Sequence, residues 1–142
     1  MRRRVKEAEI TSLRSKPGMF YMMNNYGSDD IARHFSVDSP VKTGDKIIFT
    51  VHGMSPKTGE KFHIERRYKH FDVLRNAFVD RLPGLYIPPI PKKRAIGNVK
   101  VDFVTERTYL LDKFVKQLAR CPYLLESEEF RIFVHPDQNI DK

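Results

Sequence analysis

The middle of the chain alternates between apolar and polar positions. Phe35 and Val37 have polar neighbours, Ile47-Ile48-Phe49-Thr50-Val51 is a β-branched run closed by Gly53, and Phe62 and Ile64 interleave with His63 and Glu65. A period of two predicts three half-buried strands. The stretches between them hold Thr43-Gly44 and Ser55-Pro56-Lys57-Thr58-Gly59, short connections with turn chemistry, so the strands form an antiparallel meander. Beyond Arg66-Arg67-Tyr68 the period lengthens to 3.6. Phe71, Leu74, Phe78 and Leu82 fall on one helical face, Asp72, Arg75, Asn76 and Asp80 lie on the other, and Pro83-Gly84 ends the helix.

Residues 86–91, Tyr-Ile-Pro-Pro-Ile-Pro, are extended, because proline fixes its own φ and turns the preceding residue away from helix. Lys92-Lys93-Arg94 follows, then a turn at Gly97-Asn98. Val104, Arg107, Leu111, Phe114, Val115 and Leu118 mark a long amphipathic helix over residues 103–120, closed by Pro122. Ser127 before Glu128-Glu129 starts a last short helix, with a hydroxyl at the cap and acids at the positive end of the dipole. Phe130, Ile132 and Phe133 are its core face. The predicted fold class is α+β: a three-stranded antiparallel meander packed against a helical subdomain, with a proline-rich loop between the first and second long helices.

The flanks carry less pattern. Residues 1–30 have mixed charge and a Lys16-Pro17-Gly18 breaker, and read as a weakly structured N-terminal tail in which Phe20 and Tyr21 are the residues suited to docking. The patterned domain runs over residues 31–136, and residues 137–142 are a C-terminal tail. The run of apolar character at residues 19–23 is far too short to span a bilayer, and Lys6, Glu7 and Glu9 interrupt any signal-peptide pattern, so membrane contact is expected to be peripheral.

Charge narrows the partners. The formal net charge is +8, and residues 61–100 hold ten cations against three acids. Such an excess suits nucleic acid or an acidic membrane surface. Cys121 is the only cysteine, so no internal disulfide forms, which suits a reducing cytosol. His34, His52, His63, His70 and His135 show no metal-ligand spacing, and no phosphate loop, H-E-x-x-H or G-x-S-x-G is present. Neither an enzyme nor a metal or cofactor site is expected.

Arg66-Arg67-Tyr68 puts two guanidiniums and a ring at a strand-to-helix junction. Arginine forks match phosphate oxygens, and a tyrosine ring can lie against the C–H face of a cyclitol with its hydroxyl in water. The same residues could equally be a solvated strand end paired with Glu65 or Asp72. The proline segment is a rigid wall fixing Lys93 over a pocket, or, by its Pro88, Pro91 and Lys93 spacing, a ligand for a proline-recognising module. Arg107 shares the spacing of the core-facing Val104 and Leu111, so its partly inward cation wants a partner.

In that order and at those separations, Arg66-Arg67-Tyr68-Lys69-His70-Phe71, Pro88-Pro89-Ile90-Pro91-Lys92-Lys93 and a helical Arg107 resemble the phox-homology (PX) domain, most closely of the sorting-nexin kind. The resemblance spans residues 31–136. It implies recognition of phosphatidylinositol 3-phosphate on early endosomal membranes by a cytoplasmic, peripherally bound trafficking module, with protein cargo or coat components as further partners and no nucleic acid. It implies that Arg67 grips the 3-phosphate, Tyr68 stacks under the inositol ring, Lys93 or Lys92 meets the 1-phosphate, Arg107 bonds the 4- and 5-hydroxyls and Lys69 supports them. Residues 94–101 correspond to the membrane-facing loop, with Ile96, Val99 and Val101 as shallow inserters. A basic nucleic-acid binder and a protein-interaction module working through the proline loop are the alternatives.

Overall fold

The structure is a computed structural model that describes residues 28–93 and 100–135. A short helix α1 (Ser28–Ala32) leads into strands β1 (Ser36–Thr43), β2 (Lys46–Met54) and β3 (Lys61–Arg67). Helix α2 (Tyr68–Arg81) follows at once, the proline loop runs to residue 93, and α3 (Val101–Ala119), α4 (Pro122–Leu125) and α5 (Glu128–Val134) complete the order. The strands pair antiparallel in the order β1-β2-β3. This is the predicted meander with helices gathered against one face.

Register explains which face is which. Phe49, Val51 and Gly53 of β2 stand opposite Arg66, Ile64 and Phe62 of β3 and point inward, while His52, His63, Glu65 and Arg67 stand on the outer face. Gly44 at φ 66° makes the first hairpin turn and Gly59 at φ 76° the second, conformations that a Cβ would strain. Pro40 cannot donate to a ladder, and the β1–β2 register slips between Asp38 and Val41 with Ser39 at φ 53°. Gly53 is glycine for a different reason: a Cβ there would sit 2.4 Å from the Phe62 ring and 2.7 Å from the Phe35 ring. Gly53→Ala is expected to cost about 1–3 kcal/mol in urea denaturation, the overpacking range.

The core is a relay of rings. Phe62 meets Phe35, Phe35 meets Phe130, and Phe130 stacks on Phe133 at 6.0 Å. Phe133 lies 5.2 Å from Phe71, which also touches Phe49 and Phe114 edge-on. Sheet, α2, α3 and α5 thus share one apolar centre, favoured by burial and by the edge-to-face geometry of aromatic pairs. Asp112 of α3 adds a polar tie, accepting from the Val37 amide at 2.9 Å and from Lys116 at 2.6 Å.

Boundaries moved where short-range pattern was thin. The long helix starts at Val101 rather than residue 103, and α2 starts at Tyr68, so Tyr68 and Lys69 lie in its first turn. Pro122 both closes α3 and opens the single turn α4, a start position where its missing N–H costs nothing. Ser127 caps α5 as expected, its hydroxyl accepting from the Phe130 amide at 3.1 Å. Ile132 is not on the core face: Phe130 and Phe133, three apart, are buried, whereas Ile132 is exposed and Val134 only partly covered. The α1 helix straddles position 31, where alternation begins in the sequence, and buries Ile31 and Ala32.

Candidate functional site

Site chemistry begins with the strand parity of β3. Phe62, Ile64 and Arg66 share a face, so the last of them follows the other two inward and is 7% exposed. Its guanidinium donates to three carbonyls: Nε to Phe133 at 2.9 Å, Nη1 to Glu65 at 2.7 Å and Nη2 to His135 at 2.7 Å. Phe133 and His135 lie at the end of α5, where orphan carbonyls need donors and a cation opposes the negative dipole end. Burial lowers the Arg66 pKa, but not enough to discharge a guanidinium. Arg66 therefore fastens the last helix to the sheet. The arginine doublet does not place two guanidiniums beside one ring, and neither Glu65 nor Asp72 carboxylate is its partner.

Arg67 leaves the sheet on the opposite face and is the N-cap of α2, with extended backbone at φ −96°, ψ 165°. An N-cap ordinarily offers an oxygen acceptor to the first free amides, and acids favour the first turn. Arginine has donors only, the first turn contains no acid, and Lys69 lies within it. A cation-rich first turn at the positive end of a helix dipole is unfavourable in isolation. His70 contributes a local compensation, its Nδ1 accepting from the Arg67 backbone amide at 2.9 Å. The Arg67 guanidinium itself has no hydrogen-bond or ion-pair partner among the described residues.

Tyr68 and Arg107 lock the proline loop to this turn. The Tyr68 hydroxyl donates to the Pro91 carbonyl, and Arg107 Nη2 donates to the Lys92 carbonyl at 2.6 Å. The Arg107 guanidinium lies 3.9 Å from the Tyr68 ring centroid and 4.5 Å from that of Phe103, a cation between two rings. Desolvation raises the Tyr68 pKa, partly offset by the Arg107 charge and reinforced by Asp72, so the phenol stays a protonated donor at physiological pH. Its hydroxyl is thus engaged by protein rather than water, and one ring face is already covered.

Two further clamps hold the loop: Arg75 Nε donates to the Pro88 carbonyl at 2.8 Å, and the Tyr123 hydroxyl to the Tyr86 carbonyl at 2.8 Å. Extended proline segments have no internal hydrogen bonds, so their carbonyls are free to be gripped this way. With Ile87 and Pro88 buried as well, the loop is fixed along its length. A proline-recognising partner could not wrap a segment held from four sides.

Lys92 and Lys93 emerge exposed from the end of this clamped segment. Pro91, Lys92, Phe103, Glu106, Arg107 and Leu110 surround a hollow of about 200 Å³; Arg67, Tyr68 and Lys93 do not line it. The structure therefore brings Tyr68, Arg107 and Lys92 together directly, with Arg67 and Lys93 one residue further along the same segments. Val101 opens α3 and is 77% exposed, while Ile96 and Val99 lie outside the described residues. Sequence reasoning passed over Phe103, one helical turn before Arg107 on the same face, and Arg75, whose charge looked like plain solvated surface. Arg107→Lys keeps the charge but loses the planar fork and both ring contacts; urea denaturation is expected to show a loss of about 1–2 kcal/mol.

A clamped proline loop ending in lysines, set on the cation-rich first turn of a helix that follows a three-stranded meander, defines a basic α+β module. The PX domain family model matches residues 54–137, and the chain belongs to that family. It is 31% identical over 112 residues to sorting nexin 1 of Arabidopsis thaliana, covering 72% of this chain and 28% of the relative. It is 38% identical over 78 residues to sorting nexin-30 of Xenopus tropicalis, covering 52% of this chain and 18% of the relative. Vacuolar protein sorting-associated protein 5 of Saccharomyces cerevisiae is 28% identical over 112 residues, covering 75% of this chain and 17% of that protein. The chain thus spans under a third of each of these relatives. Among solved structures, a designed CISK-PX domain superposes with a TM-score of 0.63 at 23% identity, over 71% of this chain and 97% of that one, and shares the fold.

Proposed function

We propose that this chain is a membrane-targeting module of the trafficking machinery that binds phosphoinositide headgroups, and that its ligand is phosphatidylinositol 3-phosphate on endosomal membranes. The carrying observation is the start of α2: an arginine cap without a partner among the described residues, a lysine in the first turn and no acid. A phosphate supplies the acceptors and negative charge which that turn lacks. Arg67 grips the phosphate at the 3-position and Lys93, with Lys92, meets the diester. Arg107, held between Tyr68 and Phe103, faces the ring hydroxyls. Lys69 adds charge beside the phosphate.

Of the ten cations in residues 61–100, Arg66 and Arg75 are committed to backbone carbonyls and Arg81 to Glu129. These three add little to the attraction toward an acidic surface, which is worth ~1 kcal/mol for each cation near the bilayer. Val101 beside that surface is positioned to insert, and Ile96 and Val99 share the role in this reading. Residues 31–136 are the functional unit. It binds rather than catalyses, and protein cargo or coat components are partners for the larger assembly.

Sedimentation with vesicles that each contain one phosphoinositide at constant total charge tests the proposal. Selective recovery with phosphatidylinositol 3-phosphate supports it. Equal recovery on every anionic vesicle would leave only a charge-driven surface.

A further inference from the structure

On another side of the molecule, the β2–β3 turn and helices α4 and α5 enclose a groove of about 370 Å³ that the lipid reading does not use. Met54, Pro56, Phe62, Leu125, Phe130 and Val134 line its apolar part. Lys57, Glu126, Glu128 and Arg131 stand on its rim, two charges of each sign, and Glu128 pairs with Arg131 at 2.7 Å. Met54, Pro56, Phe62 and Val134 are only partly covered, so apolar area remains in water inside a concave site.

We infer that this groove is a docking site for the chain's own residues 19–23, Met-Phe-Tyr-Met-Met. Three observations select that occupant. The first is reach. Phe35 packs its ring 6.2 Å from Phe62 and 6.1 Å from Phe130, so the chain passes directly beneath the groove seven residues after Ser28. Four helical rises and three extended steps put Ser28 at most ~17 Å from Phe35, hence within ~25 Å of the groove floor. Phe20 precedes Ser28 by eight residues, a span of up to ~28 Å when extended. The segment reaches even if it leaves α1 in the least favourable direction.

The second is chemistry. Residues 19–23 are the one apolar run in the first 27, and thioether and aromatic side chains fill irregular apolar grooves well. The third is covalent continuity with the domain. Tethering adds an effective concentration in the millimolar range, which favours this segment over a free peptide of equal affinity.

The chain contains no tryptophan, so Phe20→Trp introduces a single emitter. Its emission and acrylamide quenching are compared in the whole chain and in a peptide of residues 1–27 carrying the same change, with no lipid present. Blue-shifted emission and several-fold weaker quenching in the whole chain are expected, unchanged on tenfold dilution. Adding Met54→Asp or, separately, Pro56→Asp is expected to return both signals to peptide values, reading whichever variant keeps its urea midpoint. Peptide-like quenching in the whole chain overturns the inference, as does protection that survives both groove changes. Protection lost on dilution also overturns it, by assigning the groove to a second copy.

Discussion

Arg67→Ala is expected to abolish selective vesicle binding while leaving the fold intact. The substitution removes a guanidinium with no partner among the described residues, so nothing in the described domain loses a bond. The capping contact at the start of α2 uses the backbone amide of position 67, not its side chain, and survives. In the complex the same guanidinium would face a desolvated phosphate, and truncating one partner of such a pair costs about 2–5 kcal/mol. That corresponds to a loss of roughly thirty-fold to several thousand-fold in affinity. Sedimentation with phosphatidylinositol 3-phosphate vesicles reads the loss, and an unchanged urea midpoint shows that it is local.

The neighbouring residue is expected to give the opposite result. Arg66→Ala removes three donors from the Glu65, Phe133 and His135 carbonyls and releases the end of α5 from β3. Two of those bonds are only partly buried, so water offsets part of the cost. A loss of about 2–4 kcal/mol follows, from the range for hydrogen bonds to charged groups together with the Phe133 packing they hold in place. For a domain of this size that lowers the thermal midpoint by roughly 10 °C. Measured well below that midpoint, vesicle affinity is expected to stay within about threefold of the parent protein, since Arg66 points into the core. Two adjacent arginines are thus expected to divide stability from binding.

That division was written in the alternation. Phe62 and Ile64 face inward, and the same parity carries Arg66 inward and Arg67 outward. Reading the pair as one basic feature ignored the rule that had identified the strand. The three strands, α2 and α3 were legible because apolar residues repeat over enough turns to reveal a period. The single turns α1 and α4 are too short to have one, and the misplacement of Ile132 shows how little a seven-residue helix constrains its face. Of the candidate site, residue types in order made legible only that Tyr68, Arg107 and Lys92 come together. Its geometry was not legible. That the Tyr68 hydroxyl turns to Pro91, that Arg107 lies between two rings, and that Arg75 and Tyr123 hold the loop are contacts with backbone carbonyls, which no side-chain pattern encodes.

The proline loop also bears on the competing readings. A peptide ligand must be loose enough to enter another domain's groove, and a segment whose carbonyls at 86, 88, 91 and 92 are each held by a side chain is preorganised for a different task. Its stiffness holds the Pro91 and Lys92 carbonyls against Tyr68 and Arg107, so little ordering cost would remain for the proposed binding of a headgroup.

The most direct measurement is a nuclear magnetic resonance titration of the intact chain with soluble inositol 1,3-bisphosphate, with inositol 1-phosphate as the reference. Saturable shifts centred on Arg67, Tyr68, Lys93 and Arg107 are expected, much weaker with the reference compound. Shifts absent from those four residues at saturation, or the same with both compounds, would contradict it.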